Sequence, residues 1–160
     1  MQGVSIEAAR AHLAQFGRDE DIIESPVSTH TVQDAADALG VEPARIAKTL
    51  SFRSPEPGRC LLVVTAGDAR TDNAAFKRAF GIKASMLKAD EVEPLTGHAI
   101  GGVCPFGNPD SAIVHLDESL LRFETVFPAC GSGNSSIEMT IPDLEKISGS
   151  VGWVSVTRLP

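Results

Sequence analysis

Residues 97–107, GHAIGGVCPFG, place four glycines and one proline in eleven positions. Neither a helix nor a strand sustains that density, because each glycine surrenders extra backbone freedom on ordering and proline lacks a donor. The chain runs there as a loop, and its ordered elements are arranged on either side.

Before the loop, Ile6, Ala9, Leu13 and Phe16 fall on one helical face, so residues 5–16 read as a helix capped by Ser5. An extended piece over residues 21–24 follows. Thr31 caps a second helix carrying Val32, Ala35, Ala36 and Leu39 and ended by Gly40. Pro43 opens a third, brief helix that delivers Lys48 at its carboxyl end, with residues 49–52 already extended. Pro55, Pro57 and Gly58 turn that strand into CLLVVT at residues 60–65, a hairpin. Thr71 is placed to cap a helix ended by Gly81, a short strand is expected over residues 84–87, and a helical turn over residues 90–95.

After the loop, residues 112–116 read as a strand, 117–121 as a capped helical turn, 124–127 as a strand and 137–140 as extended. Residues 142–147 form a closing helix, and residues 153–156 a terminal strand or tail. Strands joined both by hairpins and by helices point to one α+β domain over residues 1–160, a mixed, largely antiparallel, barrel-like sheet surrounded by helices.

A chain of 160 residues with 42% hydrophobic content suffices for one domain with a core. No stretch approaches a membrane span and no basic, apolar leader opens the chain, so a cytoplasmic protein is expected. Three cysteines without a C-x-x-C pair and four scattered histidines predict reduced thiols, no metal and no cofactor. Dinucleotide, P-loop and serine-hydrolase elbow motifs are all missing from the sequence.

The net charge of −7 disfavours a polyanion. Yet residues 45–88 hold nine basic side chains against three acidic ones, enough for a local positive surface if they cluster in space.

Two features stand out from the architecture: Lys48 within Ala47-Lys48-Thr49-Leu50, and Gly101-Gly102-Val103-Cys104-Pro105 followed by Phe106-Gly107. Alone, the lysine reads as an exposed side chain and the loop as a turn. In this order and spacing they resemble the YbaK/prolyl-tRNA-editing-domain family, from the Glu24-Ser25-Pro26-Val27 region to the closing helix. The resemblance implies an aminoacyl-tRNA deacylase whose partners are the acceptor end of a tRNA with its attached amino acid and, as a protein partner, prolyl-tRNA synthetase.

Under that resemblance Lys48, Gly101 and Gly102 are the catalytic candidates. Lysine supplies a compact charge with three donors, and a glycine-rich loop can aim backbone N–H groups at a developing oxyanion. Val103, Cys104 and Pro105 complete the clamp and the amino-acid pocket, and Gly131, Ser132, Ser135 and Ser136 line it from a second glycine-rich segment. His30 is placed loosely at its mouth. YbaK-like sequences carry an aspartate where this chain has Ser136, so a carboxylate role there does not transfer. Cys104 is weighed as a nucleophile and set aside for want of a partnering histidine, with water, oriented by the tRNA ribose hydroxyl, as the attacking group. A non-catalytic module binding an aminoacyl or nucleotide ligand is the alternative.

Overall fold

The computed structural model describes residues 2–26 and 31–160. At its centre lies the hairpin β2 (Ile46–Arg53) and β3 (Cys60–Ala66), paired antiparallel with Thr49 opposite Val64. Every residue of β3 is buried, as expected of a strand covered on both faces. Cys60, Leu62, Val64 and Ala66 enter the main core, while Leu61 and Val63 enter a second cluster on the other face.

The hairpin is extended into a curled six-stranded half-barrel of order β8-β6-β2-β3-β5-β9. Here β5 is Ala112–Asp117, β6 Thr125–Pro128, β8 Met139–Thr140 and β9 Trp153–Val154. The sheet is mixed: β2–β3 and β6–β8 run antiparallel, whereas β2–β6, β3–β5 and β5–β9 run parallel. Two small antiparallel ribbons flank it, β1 (Ile23–Glu24) with β7 (Ser135–Ser136) and β4 (Arg70–Thr71) with β10 (Thr157–Arg158).

Helices close both faces. Helix α1 (Gln2–Ala14) buries Ala9 and Leu13 in the main core. Helix α2 (Val32–Leu39), capped by the Thr31 hydroxyl and ended by Gly40 in the left-handed region, sets Ala36 against Ile46 and Phe127. Helix α3 (Asn73–Phe80) docks through Phe76, whose ring lies 4.7 Å from those of both Phe52 and Phe80. Helices α4 (Ala89–Thr96) and α5 (Ile141–Ile147) complete the set. Asp117, 1% exposed, accepts hydrogen bonds from the Ser119 and Val156 amides and the Thr157 hydroxyl, and so ties β5 to the C-terminal strands.

Three local expectations are corrected. Pro43 starts only the 3-10 turn Pro43–Arg45, and Lys48 is the third residue of β2, not the end of a helix. Thr71 is drawn extended by pairing with Thr157, so Asp72 caps α3. Residues 84–87 make only a bridge from Met86 to Phe52.

Candidate active site

A pocket of about 530 Å³ opens along the free edge of β2, within the range of small-ligand sites. The edge is free because β6 pairs only with Ile46 and Ala47. Farther along, Leu87 donates to the Ser51 carbonyl (3.1 Å) and Arg53 to the Ser85 carbonyl (2.8 Å). Residues from both faces of β2 therefore line the pocket, Ala47, Thr49 and Ser51 from one and Ile46 and Lys48 from the other. Val32, Ala35 and Leu39 of α2 form one wall, and Met86 and Ile100, both exposed, form an apolar rim.

Lys48 is the one charged side chain among the described residues that line this pocket. Its ammonium donates to the carbonyls of Ala69 (2.7 Å) and Gly67 (3.4 Å), which leaves a third N–H. Burial pushes its pKa below the ordinary lysine value; the Asp68 carboxylate pulls it back up, and Arg70 adds to the lowering. The turn that holds it is pinned by Arg122, which grips Asp68 with two bonds of 2.6 and 3.1 Å and holds that carboxyl below its usual range. Gly67 is required there, since a Cβ would lie 2.1 Å from the Pro43 carbonyl oxygen.

Within the glycine-rich loop, Gly101 and Val103 line the pocket and Gly102 does not. The Gly102 amide donates to the Ala99 carbonyl at 2.9 Å. The role the structure gives Gly102 is steric, because its backbone passes against Gly131. Cys104 and Pro105 are buried and do not line the pocket. Cys104 is fully buried, its thiol pushed up to about 12 by burial, and it donates to the Phe106 carbonyl. A histidine does stand beside it: His98 Nε2 lies 3.4 Å from the Cys104 sulfur and 2.6 Å from the Phe106 carbonyl. That pair is sealed in the core and braces the loop from behind.

From the second glycine-rich segment, Ser132, Ser135 and Ser136 line the pocket, while Gly131 is buried behind it. The Ser132 and Ser135 hydroxyls lie 2.6 Å apart. Asn134 bonds Ser25 through both its carbonyl and its side chain, tying this segment to the end of β1. Glu138 is turned away from the pocket onto Arg45 and Thr125. His30 lies outside the described residues. Sequence reasoning passed over Thr49, Ser51, Asn134 and the apolar faces of α2; only Thr49 and Asn134 stood inside motifs already quoted.

Residues 27–147 match the model of the family described as "Aminoacyl-tRNA editing domain". The chain belongs to that family. This editing domain is 48% identical over 155 residues to "Uncharacterized protein YwhH" of Bacillus subtilis (strain 168), covering 97% of this chain and 98% of that one. It is 27% identical over 110 residues to "Putative Cys-tRNA(Pro)/Cys-tRNA(Cys) deacylase EbsC" of Enterococcus faecalis (strain ATCC 700802 / V583), covering 68% of this chain and 66% of that one. Among solved structures it is similar to "Crystal structure of a putative trans-editing enzyme for prolyl tRNA synthetase", with a TM-score of 0.85, 30% identity and coverage of 96% and 97% of the two chains. The matched segment holds Lys48 and both glycine-rich loops of the editing domain, and leaves α1, β1 and the last two strands outside. Among its described residues no helix is long and apolar enough to cross a membrane, and no cluster of metal-ligating side chains is present.

Proposed function

We propose that this editing domain hydrolyses the ester between a wrongly attached amino acid and the terminal ribose of a tRNA, acting in trans, with a mischarged tRNA-Pro or a similar tRNA as substrate. One observation carries the reading: the single charge on the described pocket wall, Lys48, stands in the same apolar pocket as the Gly101 and Val103 segment of the loop. Family membership and the deacylase and prolyl-tRNA editing names of two relatives support it.

In this reaction a water oxygen adds to the ester carbonyl carbon, and negative charge gathers on the carbonyl oxygen. In this reading the remaining N–H of the Lys48 ammonium and the backbone of Gly101 and Val103, all on the lining of one pocket, face that charge. The carbon–oxygen bond to the ribose then breaks and the ribose oxygen takes the proton. Free amino acid and uncharged tRNA leave. The described lining residues include no carboxylate or imidazole to serve as base, and in this reading the neighbouring ribose hydroxyl orients the water and relays its proton to the departing ribose oxygen. Cys104, fully buried and off the pocket lining, is given no part as nucleophile in this reading.

The test is a panel of mischarged tRNAs incubated with the purified protein. Release of amino acid from at least one is expected. Tight binding of aminoacylated acceptor ends with no release from any would replace the enzyme by a ligand-binding module.

A further inference from the structure

Thr49 occupies an unusual place on β2. In an antiparallel strand, successive residues direct their N–H and C=O groups alternately toward one neighbour and then the other. The Ser51 carbonyl and the Arg53 amide bond residues 85–87, away from β3. By that alternation the Thr49 N–H and C=O also point away from β3. Pairing with β6 stops at Ala47 and pairing with residues 85–87 resumes at Ser51, so among the described residues no backbone group meets Thr49 on that side. The gap from Ala47 to Ser51 is ~13 Å long at ~3.3 Å per residue, enough for one amino acid. Its side is the pocket.

An aminoacyl ester carries, across a single carbon, a donor nitrogen and an acceptor carbonyl, the same pair of groups that one strand residue offers to an edge. We propose that Thr49 docks the aminoacyl group as though it were one residue of an adjoining strand, and that its side chain selects small amino acids bearing a hydroxyl or thiol. This rests on the aminoacyl ester being the substrate. The Thr49 carbonyl accepts from the α-amino group and the Thr49 amide donates to the ester carbonyl. Residues opposite each other across a strand pair stand their side chains on the same face, so the substrate side chain comes to lie beside that of Thr49.

The Thr49 hydroxyl is the reader. Its Oγ1 is buried with no hydrogen-bond partner among the described residues, and one χ1 rotation turns it to the occupant. The pocket lining is mostly apolar, Ala47, Leu87, Val103 and Ala129 among it, and a small side chain with one polar atom satisfies both the hydroxyl and that lining.

The experiment measures binding of stable adenosine analogues in which an amide replaces the ester: 3′-seryl-amido, 3′-alanyl-amido and 3′-(3-hydroxypropanoyl)-amido adenosine, the last being the seryl compound without its α-amino group. Calorimetry on the full chain should show seryl over alanyl preference of about tenfold in the parent and in Thr49→Ser, and loss of that preference in Thr49→Val, with the alanyl affinity kept. The analogue without the α-amino group should bind at least tenfold more weakly than the seryl compound to all three proteins. An unchanged seryl preference in Thr49→Val, no preference in the parent, or undiminished binding of the analogue without the α-amino group overturns the assignment. Turnover on mischarged tRNA is scored separately: selective binding without release defeats the deacylase reading alone, and release without Thr49-dependent selectivity defeats this one alone.

Discussion

Gly102 and Gly131 cross so closely that a Cβ on Gly102 would stand 2.5 Å from the Gly131 carbonyl oxygen. The two glycine-rich loops, both of which line the pocket, are thus set by one backbone contact that only glycine permits. Gly102→Ala must push the loops apart. It is expected to destabilise the fold by ~1–3 kcal/mol, the usual cost of overpacking, and to lower deacylation through displaced Gly101 and Val103. Denaturant unfolding alongside turnover checks this; a variant matching the parent in both would show that the contact sets nothing.

Asp68 is expected to act on the reaction through Lys48. Its carboxylate raises the Lys48 pKa against burial, so Asp68→Asn lets that pKa fall further. Because the ammonium works only when protonated, the alkaline limb of activity should lie below 10.5 in the parent and shift to lower pH in the variant. Asp68 itself is held below its usual range by Arg122, so its contribution to stability is present at neutral pH and is lost only as pH falls through that depressed value. A pH–rate profile of both proteins decides; an unshifted alkaline limb would mean that Asp68 only pins the turn.

How much of this was legible beforehand depends on how local the cause was. The Thr31 cap, the Gly40 stop, the turn after β2 and the loop over residues 97–107 follow from residues within a few positions of each other, and each is where the sequence puts it. Lys48 was assigned to a helix end because Pro43 opens a helical turn, but pairing with Thr65 across the sheet takes the chain extended from Ile46. Thr71 and Asp72 are both good caps; contact with Thr157, 86 positions away, decides between them. The site was legible as motifs and illegible as geometry. Nothing near Gly102 reveals that its amide is used on Ala99, and nothing near Cys104 reveals that His98 backs it inside the core. The free edge at Thr49 exists only because β6, far along the chain, stops pairing at Ala47.

Cys104→Ser is expected to retain hydrolysis, since the thiol is sealed from the pocket and pushed up to about 12. In the folded parent the same thiol should resist alkylation at neutral pH. Mass spectrometry after treatment with a thiol reagent, together with turnover of the variant, checks both. Rapid labelling of Cys104, or a trapped acyl-thioester with an inactive serine variant, would return it to the reaction.

Lys77 and Arg78, exposed on α3, belong to the basic stretch over residues 45–88. If that stretch guides the acceptor stem, reversing both to Glu should weaken tRNA binding and flatten its salt dependence by about two phosphate contacts, with hydrolysis of a minimal aminoacyl-nucleotide unchanged. Titrations at several salt concentrations read this directly. Equal losses on both substrates would place the tRNA elsewhere.

The central claim, that this is a deacylase working through Lys48, is tested most directly by the rate at which amino acid leaves a mischarged tRNA in the presence of the parent and of Lys48→Ala. The account predicts release by the parent from at least one tRNA of the panel and a drop of about 10²-fold or more in the variant, the scale of losing one charge-stabilising donor, with little change in the unfolding midpoint. Equal rates in the two proteins would contradict it.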